Sequence, residues 1–397
     1  MFSSLKVKYF RIYWLGMFVS LIGTWIQTVA QSWLVFELTK SAFLLGVVGF
    51  LGSIPMFVLS LFGGVLADRI NKRNILIFTQ ASFMLLAFLL AILTQFKLIT
   101  AIQIMAIALL NGIVMAFDAP ARQSIVVELV GKKHLFNAIA LNSVSFNSSR
   151  IIGPAIAGVL ISVIGMSGCF YLNGFSFFAV IIALFYIKFE NGIVRKNNSA
   201  LKDLKDGLIF ISRHPLILAL VSMVAAMSFF GISYVILMPV FVSNVLHAGV
   251  KGLGVLMSSA GFGALIGALI LARLGDFKYK GRLLVASAFL FSFSLIVFSL
   301  SKNYLLSMFS LTLIGCTSVI PIALVNTLLQ INVPDEFRGR VMSLFMITFA
   351  GIMPFGNLIS GSMAQSFGVS AALSFCGLIC LAMFTLINFI FPGLKDL

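Results

Sequence analysis

Twelve long apolar runs, separated by short polar connections, dominate this 397-residue chain. They fall at approximately residues 13–36, 43–66, 75–94, 101–119, 136–164, 169–188, 215–242, 253–272, 283–300, 304–328, 341–365 and 370–391. A bilayer's hydrocarbon core takes about 20 apolar residues in a helix to cross. In lipid every backbone N–H and C=O must be bonded within the chain, and a helix achieves this inside a single segment. The expected fold is therefore all-α integral membrane, with twelve transmembrane helices. Composition removes the alternatives, since 61% of residues are hydrophobic, 10% are charged, and 41 Phe stand against 11 Asp+Glu. No water-soluble core has room for so much apolar side chain, which excludes a soluble enzyme, a disordered chain and a coiled coil.

Charge sets the expected orientation. Of 27 Lys+Arg, 22 fall in connections on the side of the N-terminus, four (Lys40, Lys97, Lys251, Lys302) on the other side, and Arg150 alone within a run. Positive loops stay in the cytoplasm, so both termini are expected there. The net charge of +16 belongs to these loops. Basic residues in ones to threes, without interleaved aromatics, make no nucleic-acid footprint. Lys6, Lys8 and Arg11 imitate the start of a signal peptide, but the run behind them continues to Phe36 and reads as an uncleaved first span. Cys169, Cys316, Cys376 and Cys380 sit inside apolar runs without metal-ligand spacing. His134, His214 and His247 lie in or beside loops on both sides and cannot converge on a metal. With few acids and no Gly-rich phosphate loop, neither a catalytic constellation nor a cofactor is expected, and any driving energy must come from gradients.

Residues 189–214 form the longest polar connection and divide the runs six and six. This gives an N-terminal half 1–188, a cytoplasmic linker 189–214 and a C-terminal half 215–397. Within the linker Leu201, Leu204, Leu208 and Ile211 recur at helical spacing opposite Lys202, Asp203, Lys205 and Asp206, predicting a short helix on the inner membrane surface. The halves also repeat. Leu45-Gly46-Val47 recurs as Leu253-Gly254-Val255 at an offset of 208, which also carries Asp68 onto Asp276 and Lys72 onto Lys280. Pro154 and Gly158 find counterparts in Pro354 and Gly361 at offsets of 200 and 203. Two pseudo-symmetric six-helix halves are the architecture of a rocker-type transporter, with its substrate site near the midplane.

Arg150 is the most informative single residue. Fourteen residues into a run entered near Phe136, it lies about 21 Å along the helix, where an Arg costs about 2.5–3.5 kcal/mol to insert. Ser143, Asn147, Pro154 and Ala157 share its face, giving a polar, small stripe that suits a cavity or another helix. Ser20, Thr24, Gln27 and Gln31 align on the first run, with cavity lining favoured over interhelical bonding. Asn111 and Asp118 share a face of the fourth run, and Asn326 and Asn357 are isolated amides of the tenth and eleventh. No acid lies as deep as Arg150, so the cavity is expected to be positive and to favour an anionic, oxygen-rich amphiphile. Carboxylates that could exchange a proton are Glu37, about 35 Å along the first helix, and Asp118, which has Arg122 four residues on.

The run Gly63-Gly64-Val65-Leu66-Ala67-Asp68-Arg69-Ile70-Asn71-Lys72-Arg73, between the second and third spans, resembles the signature loop of the major facilitator superfamily. Asn71 replaces the usual glycine, and Asn is the residue next most tolerant of a left-handed turn. Phe117-Asp118-Ala119-Pro120-Ala121-Arg122-Gln123, Asn137-Ala138-Ile139-Ala140-Leu141-Asn142-Ser143 and Arg150-Ile151-Ile152-Gly153-Pro154-Ala155-Ile156-Ala157-Gly158 resemble the branch containing enterobactin exporters and macrolide efflux pumps. Trp25-Ile26-Gln27 and Trp33 to Thr39 fit the same branch.

That resemblance implies proton-driven export of an amphipathic small molecule by alternating access, carried out by a monomer in the lipid bilayer. It ranks Glu37 first for proton coupling and makes Gly153, Pro154 and Gly158 an antiporter-type hinge. Gly64, Asp68, Arg69 and Arg73 become an inner gate, joined by Asp276 and Arg340 in the second half. A lipid or lysolipid flippase, and a membrane receptor or assembly factor without transport, are the alternative readings.

Overall fold

The structure, a computed structural model, describes residues 3–187, 200–275 and 277–396. Eleven helices among them are long and apolar enough to cross a membrane. One of these, Lys133–Tyr186, is interrupted at Gly165 (φ 71°), so the described residues provide twelve spans. They are α1 Lys8–Thr39, α2 Ala42–Arg69, α3 Lys72–Gln95, α4 (101–130), α5 (132–164), α6 (166–186), α7 Pro215–Asn244, α8 Gly249–Leu274, α9 Lys280–Leu300, α10 Tyr304–Asn332, α11 Asp335–Phe367 and α12 Val369–Ile390. A separate linker helix spans Ala200–Arg213.

Most helices outrun their apolar stretches, because hydrophobicity marks only the part meant for lipid. The largest difference is at α4, which continues past 119 and through Pro120 as far as Gly131 (φ 63°). Its added turns carry Ala121, Ile125, Val126 and Val130 into a core with Phe10, Tyr13, Leu76 and Leu184, so this charged-looking segment is half core. The single run read at 341–365 is two helices, Asp335–Gly351 and Met353–Phe367. Pro354 supplies no backbone donor and suits a first turn, so the chain restarts there. A π-helical segment, Met227–Gly231, interrupts α7.

The chain forms two compact units. One comprises Met1–Lys40, Leu51–Asn197 and Val250–Ser258, the other Ser41–Phe50, Asn198–Gly249 and Ser259–Leu397. The first turns of α2 thus pack in the second unit, and the corresponding turns of α8 in the first. Small residues set the tightest crossings inside the second unit. A Cβ on Gly315 would fall 1.9 Å from the Ala260 carbonyl oxygen, and one on Gly356 1.9 Å from that of Phe229.

The linker helix packs on α11, and Gly207, Phe210 and Ile211 form its buried side. Leu208, read from the sequence as part of the apolar face, is exposed instead. Side chains at 201–204 lie outside the described residues.

Candidate functional site

In α5, two neighbouring helices pack around Arg150. Toward α1, a Cβ on Gly153 would fall 2.4 Å from Cβ of Trp25, whose ring meets Phe146 edge-on at 6.1 Å. Toward α8, Ser258 Oγ donates to the Ile151 carbonyl (2.8 Å), and a Cβ on Gly158 would fall 3.2 Å from the Lys251 backbone. Ser145 and Ser149 are buried, and their hydroxyls have no hydrogen-bond partner among the described residues. Arg150 stays half-buried, and no hydrogen bond, ion pair or ring contact engages it among the described residues. Asn147, one turn before it, bonds back to the Ser143 carbonyl through Nδ2 (2.8 Å). A guanidinium offers five donors in a planar fork. Here all of them remain for an outside acceptor.

The polar face of α1 splits in two. Thr24 Oγ1 donates to the Ser20 carbonyl within its own helix (2.9 Å). Gln27 Oε1 accepts from Asn173 Nδ2 of α6 (2.7 Å), and both residues are buried. Gly23 lets the helices close there, since its Cβ would fall 2.5 Å from Ser176 Oγ and 2.7 Å from Asn173 Oδ1. This part of the face therefore joins α1 to α6. Gln31 is half-buried and forms no hydrogen bond among the described residues. Sequence reasoning missed Asn173, although a lone Asn in an apolar run is itself a signal.

The two coupling candidates have opposite surroundings. Asp118 is wholly buried, and its Oδ1 accepts from Thr79 Oγ1 (2.8 Å) and Gln80 Nε2 (2.8 Å) of α3. Its other oxygen pairs with Arg122. Both oxygens are thus satisfied, which holds the carboxylate in place. Glu37 is exposed at the end of α1 and pairs with nothing among the described residues. Lys40, three residues on, lies over the Phe36 ring at 5.3 Å. Asn111 is half-buried in α4 and makes no described hydrogen bond.

In the loop after α2, Asn71 has φ −57° and caps α3, its Oδ1 accepting from the Arg73 amide (2.9 Å). It is a helix cap, and the left-handed turn expected of it is not formed. Arg73 donates to the Phe185 carbonyl (3.1 Å) and lies over that ring at 5.7 Å. Lys72 pairs with Glu128. Gly64 has open space around it, whereas a Cβ on Gly63 would fall 2.1 Å from the Ala116 carbonyl oxygen. The close α2–α4 approach at this end of α2 therefore belongs to Gly63 and not to Gly64. The side chains of Asp68 and Arg69, and all of Asp276, lie outside the described residues. Arg340 pairs with Asp206 of the linker helix (3.7 Å). Asn326 accepts from Gln330, and Asn357 is buried with its amide nitrogen against Gly49. No group of three metal-ligating side chains occurs among the described residues.

A family model described as transmembrane secretion effector matches residues 1–396. The staphyloferrin A transporter of Staphylococcus aureus is 30% identical over 92% of each chain. Macrolide efflux protein A of Streptococcus pyogenes is 23% identical over 96% of each. The enterobactin exporter of Citrobacter koseri is 26% identical over 85% of this chain and 80% of its own. Among solved structures, an inward-facing bacterial homologue of the human lysosomal transporter Spinster superposes with a TM-score of 0.75 at 14% identity, covering 98% of each chain. A D-xylose-proton symporter does so at 0.76 and 13%, covering 97% of this chain and 99% of its own. These two share the fold.

Proposed function

Because the chain belongs to the transmembrane secretion effector family of the major facilitator superfamily, whose members are transporters and not enzymes, we propose that it exports an anionic, oxygen-rich amphiphile of the siderophore type. The observation that carries this reading is Arg150, a guanidinium within a membrane span whose donors no described protein group occupies. A cation there attracts carboxylate or catecholate oxygens and repels cationic drugs. Two of the relatives are named for siderophores, staphyloferrin A and enterobactin, and one for macrolides.

In this proposal Arg150 is the substrate's anchor, with Gln31, Asn147 and Asn111 as secondary contacts. Thr24, Gln27 and Ser143 shape their surroundings. Export proceeds by alternating access and is driven by proton antiport, with Glu37 as the group that changes protonation, since of Glu37 and Asp118 it is the one without a partner among the described residues. Asp118 holds α3 and α4 together. Gly153, Pro154 and Gly158 form the hinge, and Gly64, Asp68, Arg69, Arg73, Asp276 and Arg340 the inner gate. The protein works in a bacterial inner membrane with both termini in the cytoplasm, a reading supported by the 22 Lys+Arg on one side against four on the other.

Flux in proteoliposomes tests this. A panel of carboxylate and catecholate siderophores, macrolides and cationic drugs is offered with and without an imposed pH gradient. The proposal expects gradient-driven movement of the anionic ligands, collapsed by a protonophore. Flux of cationic drugs alone, or no flux of any ligand, overturns it.

A further inference from the structure

The linker helix carries apolar residues on two faces, and among the described residues only one of these faces meets protein. On the inward side Phe210 is stacked between Phe337 (4.4 Å) and His214 (3.9 Å). A Cβ on Gly207 would fall 2.8 Å from Leu344 Cδ1, and Asp206 pairs with Arg340. These contacts fix the helix to the start of α11.

The outward side is made of Lys205, Leu208, Ile209, Ser212 and Arg213, all exposed and spaced at i, i+3, i+4, i+7 and i+8. Leu208 is 57% and Ile209 40% exposed, at the centre of this stripe. Lys205 and Arg213 end it, about 12 Å apart along the axis. The one acid of this helix whose side chain is described, Asp206, is turned to Arg340. A helix face meant for water has no use for two adjacent branched apolar residues, and a face meant for the protein interior has no use for flanking cations.

We propose that this stripe docks on anionic phospholipid headgroups of the inner leaflet. Leu208 and Ile209 enter the acyl boundary, while Lys205 and Arg213 meet lipid phosphates with their stems lying along the apolar surface. Charge selects this occupant, because the cytoplasmic leaflet is negative and each basic residue near it adds attraction. The inference rests on the cytoplasmic placement of the linker proposed above and is independent of what the protein transports.

The test uses full-length Ile209→Cys labelled with a fluorophore, in nanodiscs containing brominated phosphatidylglycerol or brominated phosphatidylcholine. Cys169, Cys376 and Cys380 are buried and Cys316 half-buried, which directs the label to residue 209. Quenching is expected to be severalfold stronger with the anionic lipid and to weaken as salt is raised. Adding Lys205→Gln and Arg213→Gln should remove the preference without changing the melting temperature. Equal quenching by both lipids overturns the proposal. So does quenching by aqueous iodide alone, the result of a solvated face or of a face kept for a protein partner. Should the charge variants fail to fold, salt dependence in the parent still decides. Labelling of the same cysteine in intact cells by a membrane-impermeant thiol reagent reads the orientation separately.

Discussion

Gly254 of α8 lies so close to Gly158 of α5 that a Cβ on residue 254 would stand 3.0 Å from the Gly158 Cα and 2.5 Å from the Pro154 carbonyl oxygen. The same relation recurs in the other unit, where a Cβ on Gly46 would stand 3.1 Å from the Gly361 Cα and 2.6 Å from the Asn357 carbonyl oxygen. Gly46 and Gly254 are 208 residues apart, and Gly158 and Gly361 are 203 apart. The internal repeat of the sequence is therefore a repeated backbone contact. It also places Asn357, and not Pro354, at the position equivalent to Pro154.

Gly254→Leu should force α8 away from α5, because the obstacle is backbone and cannot rotate aside. A destabilisation of about 1–3 kcal/mol is expected, with Gly254→Ala milder. Spin labels on α5 and on the first turns of α8 should report a longer separation, and transport should fall at least tenfold. Unchanged distances and rates would show that the close approach is dispensable.

Asp118→Ala leaves Arg122 without its partner and Thr79 and Gln80 without their acceptor. Breaking such a buried pair costs about 3–5 kcal/mol, so a lower melting temperature in detergent is the expected readout. The milder Asp118→Asn should keep the ratio of gradient-driven transport to exchange. Loss of that ratio at normal stability would move the coupling role to Asp118.

Glu37→Gln removes the unpaired carboxylate of α1 with little change of shape. Uphill transport driven by a pH gradient should disappear, while substrate exchange and binding persist. Gradient-driven transport at the parent rate would rule Glu37 out as the proton carrier.

Gly207→Val places side chain where Leu344 and Arg340 already lie. The linker helix should detach from α11, and trypsin should cut at Arg213 severalfold faster than in the parent. Asp206→Asn, which removes only a half-exposed ion pair worth about 0–1 kcal/mol, should leave cleavage nearly unchanged. Equal cleavage of parent and Gly207→Val would mean that the helix is not held by this contact.

The spans and the repeat were legible because lipid imposes hydrophobicity over a fixed length and because the halves share sequence. What escaped were features that depend on a distant partner. Gln27 looks like cavity lining until Asn173, 146 positions away, is found bonded to it. The last turns of α4 look like a loop, since Arg122, Glu128 and Pro120 break the apolar run, yet their other face packs on α1 and α3. In the linker, apolar residues occur on two faces, and periodicity alone merged Leu208 with Ile211. Arg150, by contrast, was conspicuous from the sequence, because a lone cation in a span needs few neighbours to be noticed.

If Arg150 anchors an anion, equilibrium binding to the purified protein registers it. Wild type, Arg150→Lys and Arg150→Gln are titrated with a carboxylate siderophore and with a cationic drug of similar size. Wild type should bind the anion, and Arg150→Lys should lose about tenfold, because the charge is kept but the forked hydrogen bonds are not. Arg150→Gln should bind the anion more weakly still and discriminate less against the cation. Tight binding of the cationic drug by wild type, with no binding of the anion, would contradict the account and leave Arg150 as a structural tie.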